Sequence, residues 1–412
     1  MKNMDYKQLA EIIEKREIEE KYKSVVRQYT EKLIAESKSL NTVKGRVTLC
    51  FQAAEWLKGR EWSVLREETA FNSLIVSYKQ RGIKDSTISF VVISFKGFLG
   101  WLFAENPPKY LEGLKPRKIR KDLVETQLLT PLEIKAIVEK AINIRDKAFV
   151  MALYESATRI SELLNMKIRD VEFRPQETVI TITQSKTLKR KIPLFDSTPY
   201  LINWLNNHPY KNDPEAYVFM VLASNYYGRK MWPGNAGYLL RTFAKRAGIK
   251  KKVYPHLLRH SRLTWLAKVE KLNERDLRLL AGWSENSNMP NTYLHYGFDG
   301  VVEKMKFNRG ILNTEQIERE HEKQALLPVK CPRCERINPA DSAFCNCGMA
   351  LSMKAHLQIE EIKKKEEELH TAIMNKGTEG IDTKGKDVKE VMYQIVKSNP
   401  MLLEKLNEIV NF

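Results

Sequence analysis

The stretch Ile88-Ser-Phe-Val-Val-Ile-Ser-Phe-Lys-Gly-Phe-Leu-Gly-Trp-Leu-Phe-Ala104 constrains this chain more than any other, because so apolar a run becomes either a membrane span or a core helix. It falls short of the roughly 20 residues that cross a bilayer, and Lys96 sits at its middle. Its largest side chains recur at positions 88, 91, 92, 95, 98, 99 and 102, which is one face of a 3.6-residue period. A helix patterned in this way packs into a core. Residues 1–20 are charged throughout and carry no apolar signal segment, so the chain reads as soluble and cytoplasmic.

Helical periodicity runs on either side of that segment. Residues 21–105 read as an all-helical unit, set off from the charged segment 1–20. Asn41 and Thr42 offer an N-cap, Val43, Val47, Cys50, Phe51, Ala54 and Leu57 keep one apolar face, and Gly59 closes the helix. Cys50 on that face reads as packing. A second helix is expected from Glu61 to Arg81. Residues 106–125 open Asn106-Pro-Pro and carry Lys115, Arg117, Lys118, Arg120 and Lys121, the signature of a basic linker that is either solvated or laid along a phosphate backbone.

The largest unit spans 126–310. Thr130 and Pro131 provide a cap and a first helical residue. Thr178-Val-Ile-Thr-Ile-Thr183 alternates with period two, turns at Gln184–Leu188 and returns to Leu194. That predicts a small β-hairpin in a domain whose other patterns, at 199–207, 236–247, 256–270 and 273–281, are helical. Residues 328–352 hold four of the five cysteines, and 353–412 read as a helical tail with Glu360→Lys364 and Glu361→Lys365 pairs. Five cysteines so placed exclude a disulfide-scaffold secreted protein. Cys331-Pro-Arg-Cys334 followed by Cys345-Asn-Cys347-Gly348 is zinc-ribbon spacing, with the second knuckle one residue tighter than usual, and predicts a structural Zn²⁺ on the four thiolates.

Lys plus Arg number 69 against 51 Asp plus Glu, a net charge of +18 that points to nucleic acid. In His256-Leu-Leu-Arg-His260 the i, i+3 spacing puts imidazole and guanidinium one turn apart on one helix face. Arg159, in Ala157-Thr-Arg-Ile-Ser-Glu-Leu-Leu164, sits where a helix restarts after a break. Guanidinium groups so placed suit an anion with several oxygens.

These segments, with Gly282-Trp-Ser-Glu-Asn-Ser-Asn-Met-Pro-Asn-Thr-Tyr-Leu-His295, resemble in order the motifs of the tyrosine site-specific recombinases, the phage-integrase family, over residues 128–300. The resemblance implies that Arg159, Lys186 in the hairpin turn, His256, Arg259, Trp283 and Tyr293 form the catalytic set. Glu162 would be an orienting carboxylate beside Arg159. Trp283 falls where most members have histidine and some tryptophan, and the interval to Tyr293 is one residue longer than the common spacing. Tyr296 is the nearest rival nucleophile, and Lys189 and Lys191 are the rivals of Lys186. His260 reads as a packed residue behind the pair, and His295 as support or loop surface.

The implied fold is mostly α with a small β-hairpin or sheet, arranged as a two-lobed DNA clamp followed by the ribbon and tail. The implied reaction is site-specific recombination through a covalent 3′-phosphotyrosine, metal-independent and without a small-molecule cofactor. The implied partners are double-stranded DNA and three further copies in a tetramer on it, with no membrane, in a nucleoid-associated prokaryotic setting. Two other readings are a catalytically silent DNA-binding regulator on the same fold and a topoisomerase-like relaxing enzyme.

Overall fold

The apolar segment at 88–104 lies at the heart of the first of two compact units, Met1–Asp122 and Leu123–Phe412. The computed structural model describes residues 6–115, 125–185, 189–294, 302, 305, 306, 309, 310, 322 and 324–376. Most of the basic linker run and the expected helix at 387–411 lie outside the described residues.

The first unit consists of α1 (Tyr6–Glu14), α2 (Glu20–Ala35), α3 (Leu40–Leu57), α4 (Glu68–Gln80), α5 (Asp85–Leu102) and a single turn, α6 (Tyr110–Gly113). On α5 the residues Ile88, Val91, Phe95, Phe98 and Leu99 are buried. The Phe98 ring meets the edges of Tyr29 and Trp62 at 5.0 and 5.1 Å. Lys96 points outward and donates to the Leu114 carbonyl at 3.2 Å, which keeps its charge out of the core. Leu9 and Ile13 of α1 join the same core, so the charged first segment contributes a packed apolar edge.

Two local expectations change. Helix α3 begins two residues early, because the Ser39 hydroxyl, not Asn41 or Thr42, is the cap and accepts from the Thr42 N–H. The expected helix from Glu61 to Arg81 is broken at Glu67: a 3₁₀ turn, Trp62–Arg66, precedes α4. The three-residue period of that turn stacks Trp62 and Leu65 on one side, and both are buried in the core.

In the second unit Thr130 and Glu133 form a reciprocal capping box around Pro131 at the start of α7 (Pro131–Glu139). The central α8 (Ile144–Glu155) is buried on nearly every face. After α9 (Ile160–Leu164) the expected hairpin, β2 (Thr178–Ile182) and β3 (Arg190–Leu194), is joined by a third antiparallel strand, β1 (Val171–Phe173). Ile180 stands opposite both Val171 and Ile192. Three residues are too few to show alternation in sequence, so β1 is not visible there. Glu155, at the end of α8, accepts from the backbone N–H groups of Phe195, Asp196 and Ser197 at 2.6, 3.0 and 2.7 Å, fixing the exit of β3. Helices α10 (Thr198–Asn206), α11 (Pro233–Arg246), α12 (Pro255–Lys268) and α13 (Glu274–Ala281) complete the body.

A short ribbon, β4 (Val329–Lys330) paired with β5 (Ile337–Asn338), leads into α14 (Met353–Lys376). Asp341, its side chain only 3% exposed, accepts from Lys147 of α8 at 2.5 Å and ties the ribbon to the body. No helix among the described residues is long and apolar enough to cross a membrane.

Candidate active site

The site begins at a break in the chain. Ala157 adopts a left-handed backbone (φ +48°) after α8, and the chain restarts as α9 with Arg159 at the N-cap. The helix start leaves the Arg159 N–H without an intrahelical acceptor, and Glu162 supplies one: Oε2 accepts that N–H at 3.0 Å, while Oε1 accepts Arg159 Nη1 at 2.8 Å. Ser185 Oγ and Arg190 Nη2 also donate to Glu162, each at 2.9 Å. Burial works against the charge on Glu162, yet the hydrogen bonds from Arg190 and from the Arg159 backbone outweigh it and hold the carboxyl down to about 2. Arg159 keeps 30% of its side chain exposed, so it retains an edge for a substrate anion, whereas Arg190 at 1% does not.

Arg190 reaches further. Its Nε donates to the Leu280 carbonyl at 2.8 Å, which joins β3 and α9 to the end of α13. Gly282 caps α13 with φ +64°, and a Cβ there would come within 2.5 Å of Arg190 Nη1. Both the backbone conformation and the space demand glycine.

Arg259, buried on α12, donates Nη1 to the Ala157 carbonyl at 2.6 Å and Nη2 to the Ala281 carbonyl at 2.9 Å. The break before Arg159 and the end of α13 are thereby locked to one buried guanidinium. Burial, followed by the charge of Arg159, pulls Arg259 down to about 10. His256 lies one turn earlier, its ring nearer solvent; burial and then the Arg259 and Arg159 charges hold it below the usual histidine range.

Tyr293 belongs to a small apolar cluster with Ala157, Leu263, Leu266, Leu277, Ala281 and Trp283. Its ring is layered between Trp283 (5.5 Å, 20° between planes) and His260 (5.8 Å, 29°). Its hydroxyl lies 2.5 Å from His260 Nδ1. Burial pushes the phenol up to about 12, against the opposing pull of the Arg259 charge.

The fold thus gathers five of the six residues singled out from sequence: Arg159, His256, Arg259, Trp283 and Tyr293. Lys186 lies outside the described residues, as do His295 and Tyr296. Sequence reasoning misses Arg190 and Ser185 as partners of Glu162, and misses His260 as the partner of the Tyr293 hydroxyl. The one sequence signal for His260 is its position four residues after His256; the two rings meet edge to face at 4.3 Å.

A second site lies in the ribbon. The sulfurs of Cys331, Cys334, Cys345 and Cys347 all fall within 4.8 Å of one another. Cys331–Cys347 and Cys334–Cys345 are 3.6 and 3.5 Å apart. A tetrahedral ion with Zn–S bonds of ~2.3 Å needs edges of about 3.8 Å, so the four ligands fit one. The tight Cys-x-Cys knuckle is turned by Gly348 at φ +83°, and its N–H donates to the Cys345 carbonyl at 2.8 Å.

A buried phenol thus lies beside two clustered arginines and two histidines on a mostly helical scaffold. The phage integrase family profile matches residues 127–299. A tyrosine recombinase from Pseudothermotoga lettingae is 30% identical over 268 residues, covering 63% of this chain and 85% of its own length. The tyrosine recombinase XerA of Thermococcus onnurineus is 26% identical, covering 66% and 89%. Among solved structures, the Tn1549 transposon integrase in complex with circular intermediate DNA superposes with a TM-score of 0.53 at 19% identity, over 68% of this chain and 98% of that one. The chain belongs to the tyrosine recombinases of the phage integrase family, which are DNA strand-transferring enzymes of site-specific recombination.

Proposed function

We propose that this chain cleaves and rejoins double-stranded DNA through a 3′-phosphotyrosine on Tyr293. The observation that carries the reading is the grouping of Arg159, Arg259 and His256, near enough for their charges to act on one another, beside the packed rings of Tyr293 and Trp283. A scissile phosphodiester would set a non-bridging oxygen against the exposed edge of Arg159, with the buried Arg259 charge close behind it, where charge grows in the transition state. Tyr293 Oη attacks phosphorus in line as the bond to the 5′ oxygen breaks. Lys186 protonates that leaving oxygen and His256 assists, and reversal of the same steps religates without an external energy source. Trp283 supports the phenol ring and offers a single N–H donor. The family's reaction uses no catalytic cofactor.

The partner is duplex DNA, held chiefly through phosphate contacts by a chain of net charge +18. Four copies would assemble on two duplexes, the helical first unit and the catalytic second unit both engaging DNA. The regulator and topoisomerase readings are not favoured by the relatives, which are recombinases and integrases. Covalent capture on nicked duplex DNA is the deciding experiment.

Cys331, Cys334, Cys345 and Cys347 would hold a structural Zn²⁺, whose contribution when bound is to cross-link a segment with little core of its own. Metal analysis is expected to find close to one zinc per chain. Cys334→Ser should lose it and loosen the Lys147–Asp341 contact, read as new protease cleavage between residues 327 and 352 while the catalytic body stays intact. Protein with under about half an equivalent that resists such cleavage contradicts the assignment.

A further inference from the structure

We propose that His260 accepts the phenolic proton of Tyr293 as the Oη–phosphorus bond forms, which makes it a further catalytic residue of the strand-transfer centre. The inference rests on the reading of Tyr293 as nucleophile and adds the fate of its proton. Attack by a phenol needs a base, since the hydroxyl is a poor nucleophile while protonated. The residue layered on one face of the Tyr293 ring, Trp283, carries only an N–H donor and cannot accept a proton. Arg259 is cationic and already bonded to two carbonyls. The group in contact with the hydroxyl is His260, through Nδ1 at 2.5 Å, within the reach a general base requires.

The charged and titratable groups around His260 set its state. On its own helix are His256, ring to ring at 4.3 Å, and Arg259; from the turn after α13 comes Tyr293. Burial, then His256 and Arg259, lower His260 to about 4, so at neutral pH the ring is uncharged. Paired with a protonated phenol, it takes the hydrogen bond on Nδ1 and keeps its own hydrogen on Nε2. In the resting protein the proton therefore stays on Tyr293. A phosphodiester anion seated between Arg159 and Arg259 offsets the positive field that depresses His260. As Oη bonds to phosphorus its proton also becomes far more acidic, so both changes drive transfer the same way. The Oη–H bond breaks toward Nδ1, the Oη lone pair becomes the new ester bond, and the P–O5′ pair leaves with the departing strand. On religation the imidazolium returns the proton, so no other reactant is consumed.

The test uses the full chain and a nicked duplex selected from a randomised pool by covalent capture on the wild type. His260→Asn and His260→Gln keep a hydrogen-bond acceptor but take no proton at neutral pH. Single-turnover cleavage should fall by about 10²- to 10⁴-fold, the usual worth of a general base. Duplex affinity should change by less than about threefold. The wild-type rate should level off with rising pH, whereas both variants should keep accelerating roughly tenfold per unit as hydroxide replaces the imidazole. Variants that cleave within about threefold of wild type with an unchanged pH profile overturn the proposal. Should both lose duplex affinity, ¹⁵N-histidine spectra of the otherwise intact chain decide the matter. There Tyr293→Phe must shift one Nδ1 resonance, and unshifted spectra overturn the proposal. A wild type that forms no tyrosine adduct at all sinks the strand-transfer reading instead, so the two failures are distinct.

Discussion

Tyr293→Phe is expected to abolish covalent attachment to DNA while leaving duplex binding and folding in place. The phenyl ring fills the same slot between Trp283 and His260 and keeps its contacts with Leu263, Leu266 and Leu277. The one interaction lost is the hydroxyl bond to His260 Nδ1. A hydrogen bond of this kind contributes about 1 kcal/mol net, so the melting temperature should move by only a few degrees. The chemical effect has no such cushion, because no other atom replaces Oη as the attacking oxygen. Adduct yield on a nicked suicide duplex should fall at least about 10⁴-fold, the scale on which removing a nucleophile is felt in other enzymes that work through covalent intermediates. Denaturing gels give the yield, and mass spectrometry of the nuclease-trimmed peptide gives the site. An adduct that survives Tyr293→Phe and vanishes in Tyr296→Phe would move the nucleophile three residues on, leaving family membership intact.

How much the sequence makes legible depends on how locally each residue is held. Arg159, His256 and Arg259 declare themselves because a helix start and an i, i+3 spacing are properties of a few consecutive residues. Thr130-Pro131 and the alternating run at 178–183 do so for the same reason. The partners that tune these groups do not. Arg190 looks like any basic residue near a hairpin turn, and only tertiary packing turns it inward to meet Glu162, 28 residues earlier, and the carbonyl of Leu280, 90 residues later. The helical spacing puts His260 behind the pair, because one turn carries it past His256. That spacing carries nothing about Tyr293, and only the turn after α13 lays the phenol across His260. In the first unit the cap at Ser39 is hidden behind Asn41, since both residue types cap well and the choice depends on where Val43 and Val47 must face.

Glu162→Ala should be the most destabilising single change at the site, and it should weaken cleavage by a different route from Tyr293→Phe or His260→Asn. The carboxylate accepts from the Arg159 backbone, Arg159 Nη1, Ser185 Oγ and Arg190 Nη2. Removing it strands the Arg190 guanidinium, 1% exposed, in the interior with the Leu280 carbonyl at Nε still in place but no carboxylate to balance its charge. Breaking a buried ion pair from one side costs about 3–5 kcal/mol, a large share of a typical domain's stability. The pH dependence carries the same sign. Because folding lowers the Glu162 carboxyl from 4.5 to about 2, its contribution is fully present above 4.5 and is lost as pH falls toward 2. That contribution amounts to roughly 3 kcal/mol, and the alanine variant should lack this acid limb. Glu162→Gln, which keeps the shape and one acceptor oxygen, should fall between the two. Denaturant melts at pH 7 and pH 3 measure all of this, and a Glu162→Ala midpoint matching wild type would refute it. The ion pair is also where α9 with Arg159, β3, and the end of α13 before Trp283 are tied together. Its loss should therefore lower stability and cleavage in step, whereas the nucleophile and its base lower cleavage alone.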